Sequence, residues 1–200
     1  RAEHQMEVGS VEFKGNDRLV FVLQQKIHYV PGNNSARRAR VVDDAFGWTS
    51  RMYSSNLNGS DLVSLYDPSQ QQGFDRDFSG GIVSMLPNDP DNVLIIIPNY
   101  GGAELRRSNI RTGAHELVER GYVNTFNWIV DANGTPVLRQ DSVAGGRGYA
   151  WLRRGPGQTE WTEIVRFRGA DGANSGPTFQ GLGPAVAPGQ VFVLARRDGQ

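Results

Sequence analysis

The sequence predicts an all-β fold, a partial β-propeller with about three and a half four-stranded antiparallel blades. Short β-rich runs bounded by Gly, Asn, Asp and Pro dominate the chain, and helical periodicity is almost missing. A unit of weaker strand, turn and hydrophobic strand occurs four times. A second hairpin follows the first three copies, so each complete unit holds the four strands of a propeller blade.

The hydrophobic strand of each unit is the clearest element of the pattern. These strands are Arg18–Leu23, Val93–Pro98, Pro136–Arg139 and Val191–Ala195, and they follow the turns 14–17, 87–92, 131–135 and 187–190. A sheet that is covered on one face alternates apolar and polar residues. Residues 19–23 and 93–97 are apolar without interruption, so we expect these strands to be buried on both faces. A parallel α/β sheet would need helical crossovers, which the sequence does not contain.

The second hairpin of each unit turns at a glycine. The three turns are Asn58-Gly59, Thr112-Gly113 and Pro156-Gly157. Asn-Gly suits a tight hairpin because both central residues must accept a positive φ. The segment 103–120 is the best helical candidate, but Thr112-Gly113 in its middle favours two strands around a turn.

The strands divide into blades over one domain of residues 1–200. The approximate blade bounds are 8–67, 79–120, 121–168 and, incomplete, 177–200, with loops at 31–47 and 68–80. Propellers close with about 4–8 blades, whereas the fourth unit stops after two strands. We therefore expect the chain to be the first part of a larger protein. If it folds alone, it should expose an unpaired strand edge near Val191–Arg196.

Composition excludes several classes of function. Lys and Arg number 21, as do Asp and Glu, so the net charge is zero. A general nucleic-acid-binding protein carries a basic excess, and we predict no nucleic-acid partner. The longest purely apolar run, Val93–Ile97, is too short to cross a membrane. Without cysteine the chain has no disulfide, thiolate metal site or cysteine nucleophile.

No residue pattern predicts a catalytic, cofactor-binding or metal site. Gly-x-Ser-x-Gly is missing, and His4, His28 and His115 have no metal-ligand spacing. The acidic groups at 43–44, 75–77 and 89–91 lack the longer alternating series of oxygen ligands that calcium requires, and residues 89–91 suit a turn between strands. We expect Trp48, Trp128, Trp151 and Trp161 to pack in or between blades, with a sugar-binding platform as the alternative. A triad or a carboxylate pair assembled from distant positions stays open.

Four segments, in order, resemble the propeller of the prolyl oligopeptidase family, in particular its bacterial members. Residues 11–23, Val-Glu-Phe-Lys-Gly-Asn-Asp-Arg-Leu-Val-Phe-Val-Leu, are similar to the opening of that propeller. Residues 82–95 resemble the family's Leu-Pro-Asp-Asp-Pro-x-x-Val-Leu turn through Leu-Pro-Asn-Asp-Pro-Asp-Asn-Val-Leu. Residues 128–137 and 192–199 resemble the next two blades. The similarity extends over most of residues 8–199.

The resemblance implies a serine peptidase with an N-terminal β-propeller and a C-terminal α/β-hydrolase domain that carries a Ser-Asp-His triad. In this family the propeller restricts access to the active site, and the substrates are short peptides. No triad residue carries over to this chain, so we expect the 200 residues themselves to be inactive. The Glu-Glu pair of the dipeptidyl peptidase branch is missing here. The implied partners are the hydrolase domain and short peptides, while the compartment stays open between periplasmic or secreted and cytoplasmic.

Two other functions stay open. The chain could be a stand-alone propeller of the TolB or WD-repeat type that binds a protein partner, although the Trp-Asp blade ending of WD repeats is missing. An independent hydrolase or lectin would have to use scattered carboxylates and tryptophans. The sequence favours the peptidase propeller over both.

Overall fold

The protein is all-β, as the sequence predicts. The computed structural model describes residues 6–28, 46–67, 80–99, 101–143, 148–168 and 179–195, and these residues contain no helix. They form three four-stranded antiparallel sheets and one two-stranded sheet. The strand content and the sheet order confirm the predicted fold class, a partial propeller of about three and a half blades.

Each sheet is a meander in which every strand pairs with the next strand along the chain. The first sheet contains β1 (Met6–Lys14), β2 (Arg18–His28), β3 (Phe46–Asn56) and β4 (Val63–Tyr66). The second contains β5 (Gly81–Ser84), β6 (Asn92–Asn99), β7 (Gly102–Asn109) and β8 (His115–Arg120). The third contains β9 (Thr125–Val130), β10 (Pro136–Val143), β11 (Gly148–Arg153) and β12 (Thr162–Arg168). The fourth contains β13 (Phe179–Pro184) and β14 (Val191–Ala195).

The chain divides into two compact units. The first comprises residues 1–81 together with 110–113, and the second comprises residues 82–109 together with 114–200. The prediction of one domain over residues 1–200 stays a prediction. The expected loops at 31–47 and 68–80 lie almost entirely outside the described residues.

The three predicted hairpin turns are confirmed. Gly59, Gly113 and Gly157 adopt φ values of 80°, 73° and 74°, in the left-handed region that only glycine enters at little cost. The segment 103–120 is a strand pair, β7 and β8, and not a helix. The turn at Gly113 therefore joins two strands, as Thr112-Gly113 predicts.

The core of the second unit lies between its first two sheets. Leu94, Ile96 and Leu105 of the β5–β8 sheet pack in one cluster with Trp128 and Val130 of β9. Residues 93–98 of β6 are all buried, which confirms the expected burial on both faces. Trp151 of β11 extends the packing toward the fourth sheet, because its ring lies 5.7 Å from that of Phe179.

Burial of the other hydrophobic strand, β2, is only partial. Val20 is inaccessible to solvent, but the rest of residues 19–23 are half-buried. One face of the first sheet is open, since Val11 and Phe13 of β1 are 51% and 73% exposed. The prediction that residues 19–23 are buried on both faces is therefore wrong for this strand.

The expected open edge is present at β14. Among the described residues this strand pairs with β13 alone. Phe192 and Leu194 of β14 are 59% and 60% exposed. Arg196, the last residue of the predicted edge, lies outside the described residues.

Arg18 organises the first unit from the start of β2. Its side chain is fully buried and donates to Ser54 Oγ at 3.1 Å, Asn56 Oδ1 at 3.0 Å and Asp61 Oδ2 at 2.5 Å. It also donates to the backbone oxygen of Ile110 at 2.7 Å. A buried guanidinium requires such partners, because an unpaired buried charge costs several kcal/mol. The ion pair also holds Asp61 at a φ of 54°, where non-glycine residues are uncommon.

Replacing Trp128 tests the core. Trp128 is 1% exposed, so Trp128→Ala should lower the free energy of unfolding by about 3–5 kcal/mol. The indole Nε1 of Trp128 has no hydrogen-bond partner within the described part of the chain. Trp128→Phe removes that unsatisfied donor and should therefore cost less than half as much. Urea unfolding measures the free-energy loss of both variants. Val123→Ala is the neutral control, because Val123 is 82% exposed. Equal losses for Ala and Phe would contradict this account.

Two turn glycines form a matched pair for a second test. Gly59 and Gly134 have φ values of 80° and 85°, so alanine brings similar backbone strain, about 1–2 kcal/mol, to each. A Cβ at Gly59 meets nothing within 4 Å, whereas at Gly134 it would lie 2.8 Å from Leu86 Cδ2. Gly134→Ala should therefore destabilise by a further 1–3 kcal/mol or so. Similar denaturation midpoints for the two variants would show that Leu86 moves aside freely.

Candidate functional site

Two recesses lie beside the β9–β10 turn of the second unit. The first recess, of about 310 Å³, is lined by residues of the β5–β6 turn, Arg107 and residues of the β9–β10 turn. The second recess, of about 380 Å³, lies between residues 131–137, residues 154–158 and the β13–β14 turn. Their volumes are in the range of small-molecule sites. Together they form the candidate binding rim of this unit.

Asp131 fixes the β9–β10 turn and links it to the β13–β14 turn. Its Oδ1 accepts hydrogen bonds from the backbone N–H groups of Asn133 and Thr135, at 3.0 and 2.8 Å. Its Oδ2 accepts one from the N–H of Gly189, at 2.8 Å. Short polar side chains favour such bonds to backbone groups nearby. Asp131 is buried, and its oxygens are already engaged in structural bonds.

Asp89 performs a similar task at the first recess. It accepts hydrogen bonds from the side chain of Asn92 and forms an ion pair with Arg107. Arg107 also donates to the backbone oxygen of Asn133, at 3.2 Å. Desolvation opposes ionisation of Asp89, but these donors and the N–H of Asp91 outweigh it and hold the pKa of its carboxyl below the ordinary value. The predicted turn role of residues 89–91 is confirmed, with turn positions at 87–88 and 90–91.

An aromatic and cationic cluster lies behind the second recess. The guanidinium carbon of Arg154 lies 4.5 Å from the ring centre of Trp161, and that of Arg139 lies 5.1 Å from it. Arg154 pairs with Glu119 at 2.8 Å, and Trp161 Nε1 donates to the same carboxylate at 3.3 Å. Arg139 pairs with the buried Asp141 at 2.8 Å. Arg154 reaches the recess with its charge already balanced by Glu119, and Asp131, which lines the same recess, is hydrogen-bonded to backbone N–H groups.

Glu104 forms a third charged cluster, on β7. Its buried carboxylate accepts hydrogen bonds from Arg106 at 2.5 Å and from Asn99 at 2.8 Å, and it lies 3.2 Å from Arg120. Desolvation works against the charged form of Glu104, but the hydrogen bonds and the two arginines prevail and lower its pKa. Such a well-paired carboxylate is a poor general acid at neutral pH.

His115 is the one histidine whose side chain the structure describes. It is exposed, and its Nδ1 lies 2.7 Å from Ser108 Oγ. Desolvation beside this contact, together with the positive charge of Arg106, lowers the pKa of His115. Ser108 is fully buried, so a substrate cannot reach its hydroxyl group. The Ser108–His115 pair therefore lacks the access that a nucleophile and its base require.

Several other residues that the sequence singles out lie outside the described part of the chain. His4, the acidic groups at 43–44 and 75–77, and the side chains of His28 and Trp48 fall outside the described residues. Trp128 and Trp151 are buried in the core as expected, at 1% and 3% exposure, and Trp161 packs against the core cluster. In the described part of the chain no group of three or more His, Asp or Glu residues could hold a metal ion.

The rim is suited to recognition by shape more than to chemistry. Its carboxylates and guanidinium groups bond to one another or to turn backbone, and the prolines among its lining residues, Pro90, Pro136, Pro156 and Pro188, restrict the backbone φ. Sequence reasoning identified the individual turns but not the recesses. Each recess is formed by turns that lie far apart in the chain, so no local sequence pattern predicts it.

No protein-family model matches the chain, and no curated protein sequence is similar to it. Within the described residues, no helix has the length and apolarity needed to cross a membrane.

The two paired carboxyl groups predict how stability depends on pH. The pKa values of Asp89 and Glu104 lie below 3.8 and 4.5 in the folded protein. Each group therefore contributes stability that is fully present above its unfolded pKa and is lost as pH falls through the folded pKa. His115 acts in the same direction at higher pH, because protonation below about 6.5 is disfavoured in the folded state. The urea midpoint should thus decline below pH 6.5 or so and fall more steeply below about 4.5.

Substitution of Glu104 isolates its share of this effect. Glu104→Gln should cost about 1.5–3 kcal/mol at neutral pH, because hydrogen bonds to a charged group are lost. It should also flatten the acid limb of the stability curve. Glu160→Gln, at an exposed residue of the β11–β12 loop, is the matched control. An acid limb unchanged in Glu104→Gln would rule out this carboxylate as a source of the pH dependence.

Proposed function

We propose that this chain is a non-catalytic propeller segment that restricts access of substrates to an α/β-hydrolase domain of the prolyl oligopeptidase type. One observation supports this most strongly. The segments that resemble this family, 11–23, 82–95 and 128–137, each coincide with the first hairpin of a four-stranded sheet. Residue 192, where the fourth segment begins, lies in the second strand of the next sheet. The motifs thus recur at one place in successive blade-like sheets, as blade motifs of a propeller would.

The proposed role is steric and needs no reactive side chain in the propeller. Stiff blades would leave an entrance that admits a short peptide and excludes a folded protein. Excluding water and unwanted substrates protects the chemistry in the hydrolase domain. Contacts that fix one turn to the next, such as the hydrogen bond from Gly189 N–H to Asp131, would keep the entrance from widening.

A second candidate is a propeller that binds a protein partner with no enzyme attached. The two recesses of the rim favour it. They are concave, they lie between turns that hydrogen bonds connect, and each contains an arginine that is paired with a carboxylate. Such a surface would accept a loop of a partner by shape.

The reading frame beyond the codon for Gln200 separates the two candidates. We expect it to complete the propeller and then to encode Gly-x-Ser-x-Gly, with a later Asp and His. A frame that continues without such a domain would remove the peptidase proposal. The binding alternative would then be tested by capture of a stoichiometric partner that Asp131→Ala releases.

Gating itself is tested on the full-length protein. Cleavage of a short peptide is compared with cleavage of the same sequence inside a folded protein. Asp131→Ala frees the β13–β14 turn and should raise the ratio of folded-protein to short-peptide cleavage by about tenfold, which corresponds to about 1.4 kcal/mol in the free energy of admitting the larger substrate. Glu160→Gln should leave the ratio within about twofold of the parent. A ratio unaffected by Asp131→Ala would mean that this rim does not gate access.

A further inference from the structure

Asparagine followed by glycine occurs twice in the chain, at Asn58-Gly59 and Asn133-Gly134. Such a pair can modify itself. The backbone nitrogen of the glycine attacks the side-chain Cγ of the asparagine, forms a cyclic imide and expels ammonia. Water then opens the ring to aspartate or isoaspartate. Glycine favours ring closure because it has no Cβ to hinder the rotation.

The two turns share the features that control this reaction in a simple peptide. Both glycines have a positive φ, 80° for Gly59 and 85° for Gly134. In both turns the glycine N–H donates to the carbonyl oxygen three residues earlier, at 2.9 Å for Gly59 and 3.0 Å for Gly134. Any difference in reactivity must therefore come from the surroundings of each pair.

The surroundings of Asn58 favour the attack. Asn58 and Gly59 are exposed, and the space around Gly59 is open to 4 Å. The backbone N–H of Ser60 donates to Asn58 Oδ1 at 3.0 Å, and the Ser60 hydroxyl donates to the same oxygen at 2.7 Å. This oxygen gains negative charge as the glycine nitrogen adds to Cγ. Two donors aimed at a developing oxyanion lower the barrier to its formation.

The surroundings of Asn133 oppose the attack. The N–H of Asn133 is bonded to Asp131 Oδ1, and its carbonyl oxygen accepts from Arg107. Gly134 is buried, and the position of a Cβ there lies 2.8 Å from Leu86 Cδ2. Ring closure requires this peptide to rotate, which would break the turn contacts and disturb the core. The N–H of Thr135, the residue that corresponds to Ser60, donates to Asp131.

We propose that Asn58 is a self-modifying site, with Ser60 stabilising the oxyanion, and that Asn133 is protected by its turn. The overall step consumes one water and releases one ammonia, with no oxidant or cofactor. It adds a negative charge to the loop in which Asp61 holds the buried Arg18. Isoaspartate also lengthens the main chain inside the hairpin that the Asn56 N–H to Ser60 carbonyl bond closes at 2.9 Å. We therefore expect the modified residue to accumulate at the β3–β4 turn of the first unit.

The test follows both sites in one sample. The purified chain is incubated at mildly alkaline pH in water enriched in heavy oxygen, and proteolytic peptides are analysed by mass spectrometry at intervals. A parallel sample in denaturant gives the intrinsic rates. We expect similar rates for the two sites in denaturant. In the folded protein Asn133 should be slowed by about tenfold or more, because its conversion requires local opening, while Asn58 keeps its rate or exceeds it.

Two matched substitutions test the role of Ser60. Ser60→Ala keeps the backbone donor but removes the hydroxyl, and should slow Asn58 several-fold in the folded protein and not in denaturant. Thr135→Ala makes the equivalent change at the other turn and should leave the Asn133 rate unchanged. Equal rates for Asn58 and Asn133 in the folded protein, or a slower Asn58 than in denaturant, would overturn the proposal. A Ser60→Ala rate equal to the parent would overturn the assignment of Ser60.

Discussion

Side-chain packing between neighbouring sheets is the interaction on which the second unit depends. Each sheet satisfies its backbone hydrogen bonds along its own meander. Cohesion between sheets must therefore come from apolar side chains and from contacts between turns. Leu94, Ile96 and Leu105 supply one side of this packing and Trp128 supplies the other. The close approach of Gly134 to Leu86, and the recesses beside it, are consequences of how near the two sheets lie.

Charged side chains stabilise this architecture by forming hydrogen bonds to the backbone groups of the turns. Asp131 bonds to three backbone N–H groups in two turns, and Arg107 joins a carboxylate of one turn to a carbonyl oxygen of the next. Arg18 does the equivalent in the first unit through Asp61 and Ile110. Buried charges are tolerable because each has several partners. The same bonds engage the carboxylate and guanidinium groups that line the two recesses.

The turns combine rigidity with local chemical reactivity. Asn133 and Asn58 lie in turns of nearly the same glycine geometry, yet one is held by neighbouring sheets and the other projects into solvent. A turn that contributes to a recess must be stiff, because a flexible turn would lose conformational entropy on binding. An exposed hairpin has no such support, and its reactivity is set by its own donors.

The class of fold, the order of strands and turns and the positions of the hairpin glycines could all be predicted from the sequence. These depend on local patterns, namely uninterrupted apolar runs and Asn-Gly or Pro-Gly turns that specify φ. The open edge at β14 also followed from counting strands. Sequence could not tell that β2 has an exposed face, since its apolar run is as strong as that of β6. The burial and pairing of Arg18, Asp131 and Glu104, and the two recesses, became visible only in the folded structure. Those features join residues far apart in the chain, so they arise from the packing of sheets and from no local pattern.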